Sequence, residues 1–423
     1  MEPANCSFIG NASEMNVSGC ILGTPPTKVI AQEDFFGQSA LAFVMSFSEA
    51  TLKVPNTEFG LYLGHFPALV EVTVTLTVGL AFLVLCAYLA YSIQTSVFLN
   101  LHLKRALLWT GIVGVPLLPF LILSLHGPMA SVLANFTMSF LAVCLFFRLI
   151  ELVCKTGPKG FDSSLSRYVL YVTSPAELAF DGEGRIQQVS PGRIKECLTS
   201  TVGHFLLMML ALCLGRLTNF LPWLPEGVEP HTMPLLGNPA TLPAAHLQAV
   251  QVYVQLTVML QLFRLLCAIA GMETCVAFRQ PLILSTSVKD FWGRRWNLLI
   301  HRLMHRSFFT PIAPIVGPQA GAIAAFLVSG VFHEYMWLLT NWHEADYTPF
   351  GPLKFFAVQF LLLTAESMLK RTWIGKAFSS LPSPVLTILT TLAILPSGHF
   401  FLSGLRGMRA DSVRVYPNFS ITK

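Results

Sequence analysis

Residues 320–339 read AGAIAAFLVSGVFHEYMWLL. Twenty residues of α-helix rise about 30 Å, the thickness of a bilayer's hydrocarbon core. This run is apolar except for His333 and Glu334. Ionisable groups at that depth cost a few kcal/mol each, so the pair marks a functional site inside a membrane helix. With the helix beginning near Gln319, His333 lies 14 residues in, about 20 Å deep. A neutral imidazole is tolerated there and can take a proton from a hydroxyl as a general base. The competing reading of His333 is a packing residue hydrogen-bonded across the bundle. Glu334 points about 100° away around the helix and cannot share that face. It is expected to pair with a cation on another span, Arg148, Arg216 or Arg264, and so to fix the rotation of its helix.

The rest of the chain has the same character. Of its 423 residues 53% are hydrophobic and only 12% charged, and the mean hydropathy is +0.61. Soluble domains carry about 25% charged residues, so this is a polytopic membrane protein. Eight stretches are long and apolar enough to cross: 67–92, 106–126, 129–150, 199–221, 246–275, 319–340, 351–369 and 384–405. The fold expected is all-α, with about eight transmembrane helices around an internal catalytic tunnel. Residues 34–47 are apolar but too short to span and are expected at the interface. The run after Ser307, broken by Pro311 and Pro314, is either re-entrant or laid along the surface.

Charge orients these spans. Segments 93–105, 151–198, 276–318 and 370–383 hold 17 of the 27 Lys and Arg residues. Loops 127–128, 222–245 and 341–350 hold none. By the positive-inside rule the first set faces the cytosol, which puts both tails in the lumen. The net charge of +5 therefore calls for no nucleic-acid partner. Residues 1–65 form a polar, luminal N-terminal tail, 66–405 one membrane domain and 406–423 a C-terminal tail. The first 20 residues contain no signal-peptide apolar run but three glycosylation sequons, at Asn5, Asn11 and Asn16. Cys6 and Cys20 could form a disulfide in that compartment. Cys86, Cys144, Cys213, Cys267 and Cys275 fall in apolar stretches and are read as packing residues. The long loop 151–198 contains a turn, Asp181-Gly182-Glu183-Gly184, between two β-like runs, YVLYV and RIQQV.

The second informative segment is Phe291-Trp292-Gly293-Arg294-Arg295-Trp296-Asn297, whose last residue precedes His333 by 36 positions. Arg294 and Arg295 suit a phosphate or pyrophosphate. Trp292 and Trp296 could line an entrance or anchor at the interface. Asn297 could polarise a carbonyl or orient the imidazole. Rival sites fail on spacing. Trp337 stands where an HExxH zinc motif needs its second His, and no GxSxG elbow occurs. His301 and His305 are four apart but lack a third ligand, and with Arg302 and Arg306 they read as a basic interfacial helix. His204 and His399 read as core packing. Arg148 and Glu151 can pair along one helix. Glu273 and Glu366 are candidates for Arg216 or Arg264.

FWGRRWN followed by SGVFHEYMW (329–337) and a hydrophobic C-terminal portion resembles the wax-synthase-like branch of the membrane-bound O-acyltransferase superfamily, over about residues 250–410. That resemblance implies an acyl-CoA or acetyl-CoA co-substrate from the cytosol, no permanently bound cofactor, no metal, and a hydrophobic alcohol from the bilayer. It makes His333 the general base and Asn297 its polar assistant. It assigns CoA contacts to Trp292, Arg294, Arg295 and Trp296, and a supporting role to Glu334. An Asn at 297 is similar to the plant fatty-alcohol enzymes, whereas related fungal terpenoid acetylases often have His there. The expectation is wax-ester synthesis from a long-chain alcohol in the endoplasmic reticulum. A terpenoid, sterol or diacylglycerol acceptor is the alternative, and a transporter is the non-enzymatic one.

Overall fold

The structure is a computed structural model that describes residues 51–53, 59–62, 66–127, 132–218, 242–342, 347, 349–402 and 414–417. The chain divides into Met1–Ser46 and Phe47–Lys423, and all described residues lie in the second unit. The sequons, Cys6, Cys20 and the apolar segment 34–47 fall outside the described residues.

Among the described residues eight helices are long and apolar enough to cross a membrane, as the sequence predicts. They are α1 (Phe66–Thr95), α2 (Leu101–His126), α3 (Val132–Cys154), α5 (Arg193–Thr218), α6 (Leu242–Ile269), α11 (Pro318–Thr340), α12 (Gly351–Leu369) and α14 (Ser383–Ile394), the last continued by a short turn and α15 (Gly398–Leu402). Helices are the expected solution, since hydrocarbon offers backbone groups no partner and each helix satisfies its own. Between them lie α4 (Leu165–Thr173), α7 (Pro281–Leu284), α8 (Val288–Asp290), α9 (Leu298–Met304), α10 (Thr310–Val316) and α13 (Trp373–Ser379).

Helix ends depart from the apolar windows for local reasons. α2 begins five residues before its window because Asn100 caps it, its side chain accepting from Leu103 N at 2.8 Å. Lys104, inside that first turn, reaches back to the carbonyl of Gln94 at 3.1 Å. α6 ends before its window does. Gly271 turns the chain at φ +81°, and Met272 and Thr274 then bridge antiparallel to Gln188 and Leu178. Cys275 therefore lies outside the span in which the sequence put it. The last span breaks at Leu395–Ser397, a single 3₁₀ turn, because Pro396 has no N–H to continue the ladder.

A small antiparallel sheet flanks the bundle. β1 (Thr51–Lys53) pairs with β2 (Phe59–Tyr62), and β2 pairs with β3 (Arg414–Pro417) in the register Leu61↔Val415. Segments before the first and after the last of these long helices thus pair with each other.

The loop 151–198 differs from its expectation in one half. YVLYV is helical, within α4, and buries Tyr168 and Tyr171. RIQQV is extended, with Ile186 bridged to Phe180 across the expected turn, where Gly184 N donates to Asp181 O at 3.0 Å.

Charged groups tie this loop to the segment after α6. Arg148 pairs with Glu151 at 3.0 Å, as their spacing predicts, and lies 3.9 Å over the Tyr171 ring. Tyr171 Oη donates to Glu151 at 2.6 Å. Arg306 bridges Glu151 and Glu177, 2.7 Å from each, and Arg302 also pairs with Glu177. Glu151 and Glu177 are buried. Arg302 and Arg306 are therefore inward-facing members of an ion network, a correction to the interfacial-helix reading. The remaining expected pairs also differ. Glu273 takes Arg193 at 3.0 Å, Glu366 takes Lys370, and Arg264 bonds Gln261 and Thr274. The Arg216 side chain lies outside the described residues.

Candidate functional site

The segment after α8 is not a plain loop. Phe291–Arg295 forms a π-turn closed by Trp296 N donating to Phe291 O at 2.8 Å. Such wide turns inside helical runs collect at functional sites. The chain then extends through Trp296 and turns again at Asn297, which sits in the left-handed region at φ +36°, ψ +62°. Asn is one of the few residues that adopts it readily. Its Oδ1 caps α9 by accepting from Ile300 N at 3.4 Å, while its Nδ2 has no protein partner among the described residues. A second π-turn, His305–Phe309, joins α9 to α10. The run after Ser307 is thus helical and packs against α11, from which Gly317 separates it at φ +93°.

These turns wall a cavity of about 1030 Å³. His333 and Asn297 both line it, as do Trp292 and Trp296. His333 Nδ1 lies 2.7 Å from the carbonyl oxygen of Ser329. A carbonyl only accepts, so Nδ1 carries the proton and a neutral ring has its lone pair on Nε2. Three aromatic rings surround the imidazole. Phe332 lies at 4.3 Å, Phe356 stacks at 4.8 Å and 29°, and Phe401 stands edge-on at 5.1 Å. The result is an oriented imidazole in a largely apolar chamber.

Arg294 and Arg295 do not line the cavity. Arg294 is exposed on the outer side of the turn. Arg295 is held by Asp290 at 2.6 Å and donates to the carbonyl of Arg279 at 3.3 Å. The π-turn faces the tryptophans inward and the guanidinium groups away, so the fold does not bring these two arginines into the cavity with His333. Lys289, His301, His305 and Arg371 line the cavity instead, and no Asp or Glu does among the described residues. Burial, the neighbouring His305 and Arg302 hold the His301 imidazole below its ordinary value. Burial and Arg306 do the same to His305. Both stay neutral at pH 7 and become cationic only in more acidic solution.

Sequence reasoning did not bring Lys289, His301, His305 and Arg371 together because they lie in three separate segments. It also missed His399, whose Nδ1 lies 2.7 Å from the carbonyl of Pro396 and which faces the same cavity. The kink at Pro396 could have suggested that His399 leaves the packed face.

Glu334 does not pair with a cation among the described residues. Its Oε1 accepts from Tyr347 Oη at 2.9 Å and from Phe350 N at 2.7 Å. Phe350 is the N-cap of α12, so the carboxylate sits at the positive end of that helix. The helix terminus does what an arginine was expected to do.

The resemblance to membrane-bound O-acyltransferases of the wax-synthase-like branch is borne out by comparison with known proteins. Residues 276–358 match the model of the membrane bound O-acyl transferase family. A stretch of 183 residues is 29% identical to probable long-chain-alcohol O-fatty-acyltransferase 9 of Arabidopsis thaliana, covering 40% of this chain and 52% of that one. The long-chain-alcohol O-fatty-acyltransferase of Simmondsia chinensis is 28% identical over 161 residues, 36% of this chain and 44% of that one. Acyl-CoA–sterol O-acyltransferase 1 of Arabidopsis thaliana is 31% identical over 129 residues, 30% of this chain and 37% of that one. The chain spans about half the length, or less, of the curated relatives it matches.

Proposed function

We propose that this protein transfers a fatty acyl group from acyl-CoA to a long-chain alcohol within the membrane of the endoplasmic reticulum, releasing a wax ester and CoA. The observation that carries this reading is the orientation of His333, whose Nδ1 is committed to Ser329 and whose Nε2 is left for a hydroxyl in the cavity. The alcohol gives its proton to Nε2 as its oxygen attacks the thioester carbonyl. The tetrahedral intermediate collapses, the C–S bond breaks, and the sulfur leaves with the proton returned by the imidazolium. Asn297 Nδ2 donates to the carbonyl oxygen as charge develops there. Lys289, Arg371, His301 and His305 receive the CoA phosphates, and Trp292 and Trp296 flank the thioester path. The dry chamber brings two poorly miscible substrates together, and positioning lowers the barrier. Glu334 braces the helix that carries the base.

A sterol acceptor is the second reading, favoured by the similarity to a sterol acyltransferase and by the cavity's volume of about 1030 Å³. Expression in a host lacking neutral-lipid esters, fed a mixture of fatty alcohols, sterols and diacylglycerol, decides between them. Wax esters as the main product, lost in His333→Ala, are the expected result. Predominance of sterol or terpenoid esters would overturn the fatty-alcohol assignment. Absence of any acyl-CoA-dependent ester from purified, folded protein would overturn the enzyme reading and leave that of a transporter.

A further inference from the structure

Gln359 is a fully buried glutamine in the middle of a membrane-spanning helix. Both ends of its amide are used. Oε1 accepts from Trp292 Nε1 at 3.1 Å, and Nε2 donates to Ser397 Oγ at 2.7 Å. Ser397 Oγ in turn donates to the carbonyl of Ile394 at 3.0 Å. Each link has one possible direction, because indole only donates and a carbonyl only accepts. The chain joins three elements remote in sequence: the π-turn at 291–295, α12, and the 3₁₀ break in the last span.

Those elements supply two of the three rings around His333. Phe356, on α12, stacks on the imidazole at 4.8 Å and also meets Trp292 at 5.8 Å. Phe401, four residues past Ser397, stands 5.1 Å from the imidazole and 5.4 Å from Phe355. The hydrogen-bonded chain therefore ties together the walls that flank the imidazole.

We propose that Gln359 is a positioning residue that keeps water from His333, and so sets the partition of the acyl group between alcohol and water. The proposal rests on the acyl-transfer reading above. If the walls part, a water molecule can give its proton to Nε2 and attack the thioester carbonyl. The C–S bond then breaks to give free fatty acid and CoA thiol, the side reaction that a closed site prevents.

The test uses purified full-length protein in phosphatidylcholine vesicles with radiolabelled oleoyl-CoA and hexadecanol, both products being counted per folded molecule. Gln359→Leu is expected to raise the ratio of fatty acid to ester by about fivefold or more. Gln359→Glu, kept neutral by burial, retains an acceptor for Trp292 and a donor for Ser397 and is expected to restore most of the wild-type ratio. Ser397→Ala breaks one link with a smaller change in side-chain volume and serves if Gln359→Leu fails to fold. Its ratio should also rise. A merely structural role would lower both products together, and an unchanged ratio in the folded variants would overturn the proposal alone. No ester from the wild type with hexadecanol or sterol would instead remove the acyl-transfer reading, and this proposal with it.

Discussion

His333 Nδ1 and the carbonyl oxygen of Ser329 are 2.7 Å apart, one helical turn below the imidazole. That bond sets which nitrogen is left for the cavity. Replacing His333 by Ala or Gln is expected to lower kcat by about 10²–10⁴-fold. Steady-state rates on protein of matched folded content check this, and near-normal turnover would remove His333 from the mechanism.

Glu334 accepts two hydrogen bonds on Oε1, from Tyr347 and from the α12 N-cap at Phe350. Glu334→Gln keeps an acceptor oxygen there, whereas Glu334→Ala leaves the half-buried Tyr347 hydroxyl unpaired, at about 1–3 kcal/mol. Thermal unfolding in detergent should separate the two variants, with Gln close to wild type. Equal loss in both would mean that the negative charge itself is needed.

Lys289 and Arg371 give the cavity fixed positive charge, while His301 and His305 add charge only in acid. Their imidazoles are held below the ordinary 6.5, so they bind protons only as pH falls beneath that value. CoA, an anion, should therefore bind more tightly as pH drops from 7 towards 5. Each imidazolium about 4 Å from a phosphate in a water-like surrounding contributes roughly 1 kcal/mol, or about fivefold. Equilibrium binding of CoA, rather than turnover, is the measurement, because acid also protonates any catalytic base. The double variant His301→Gln/His305→Gln should flatten the dependence; a slope unchanged by it would place the phosphates elsewhere.

Arg306 bridges Glu151 and Glu177 at 2.7 Å each. Arg306→Leu takes one of two cations from each buried carboxylate, Arg148 and Arg302 remaining, a loss of about 1.5–3 kcal/mol for hydrogen bonds to charged groups. Because Arg306 belongs to the second π-turn, the loss should also disturb His305. Denaturant unfolding would show the destabilisation, and a raised KM for acyl-CoA the displaced rim. A variant as stable as wild type would mean that the network contributes little.

Much of this was legible in the chain. Apolar runs near 20 residues have few alternatives to spanning helices, so all eight were readable from composition. Two ionisable residues in such a run are costly enough that His333 and Glu334 stood out without any partner in view. The local pair Arg148–Glu151 followed from helical spacing. What failed were statements about partners. Arg294 and Arg295 read as an anion site, but a π-turn rotates them away from the cavity. Glu334 read as an arginine's partner, but a helix N-terminus meets it first. His301, His305 and His399 were dismissed for want of neighbours in sequence, yet they share one cavity with His333.

The sequence by itself determined the helical class, the apolar runs that form the eight long helices among the described residues, and the ionisable pair His333–Glu334 within one of them, because burial in hydrocarbon penalises polar groups residue by residue. Only the tertiary structure decided which groups face the cavity and which amide joins its walls. Those outcomes depend on the rotation of helices and the width of turns. Both are set by contacts between residues far apart in the chain, such as Trp292 with Gln359 and Glu334 with Phe350.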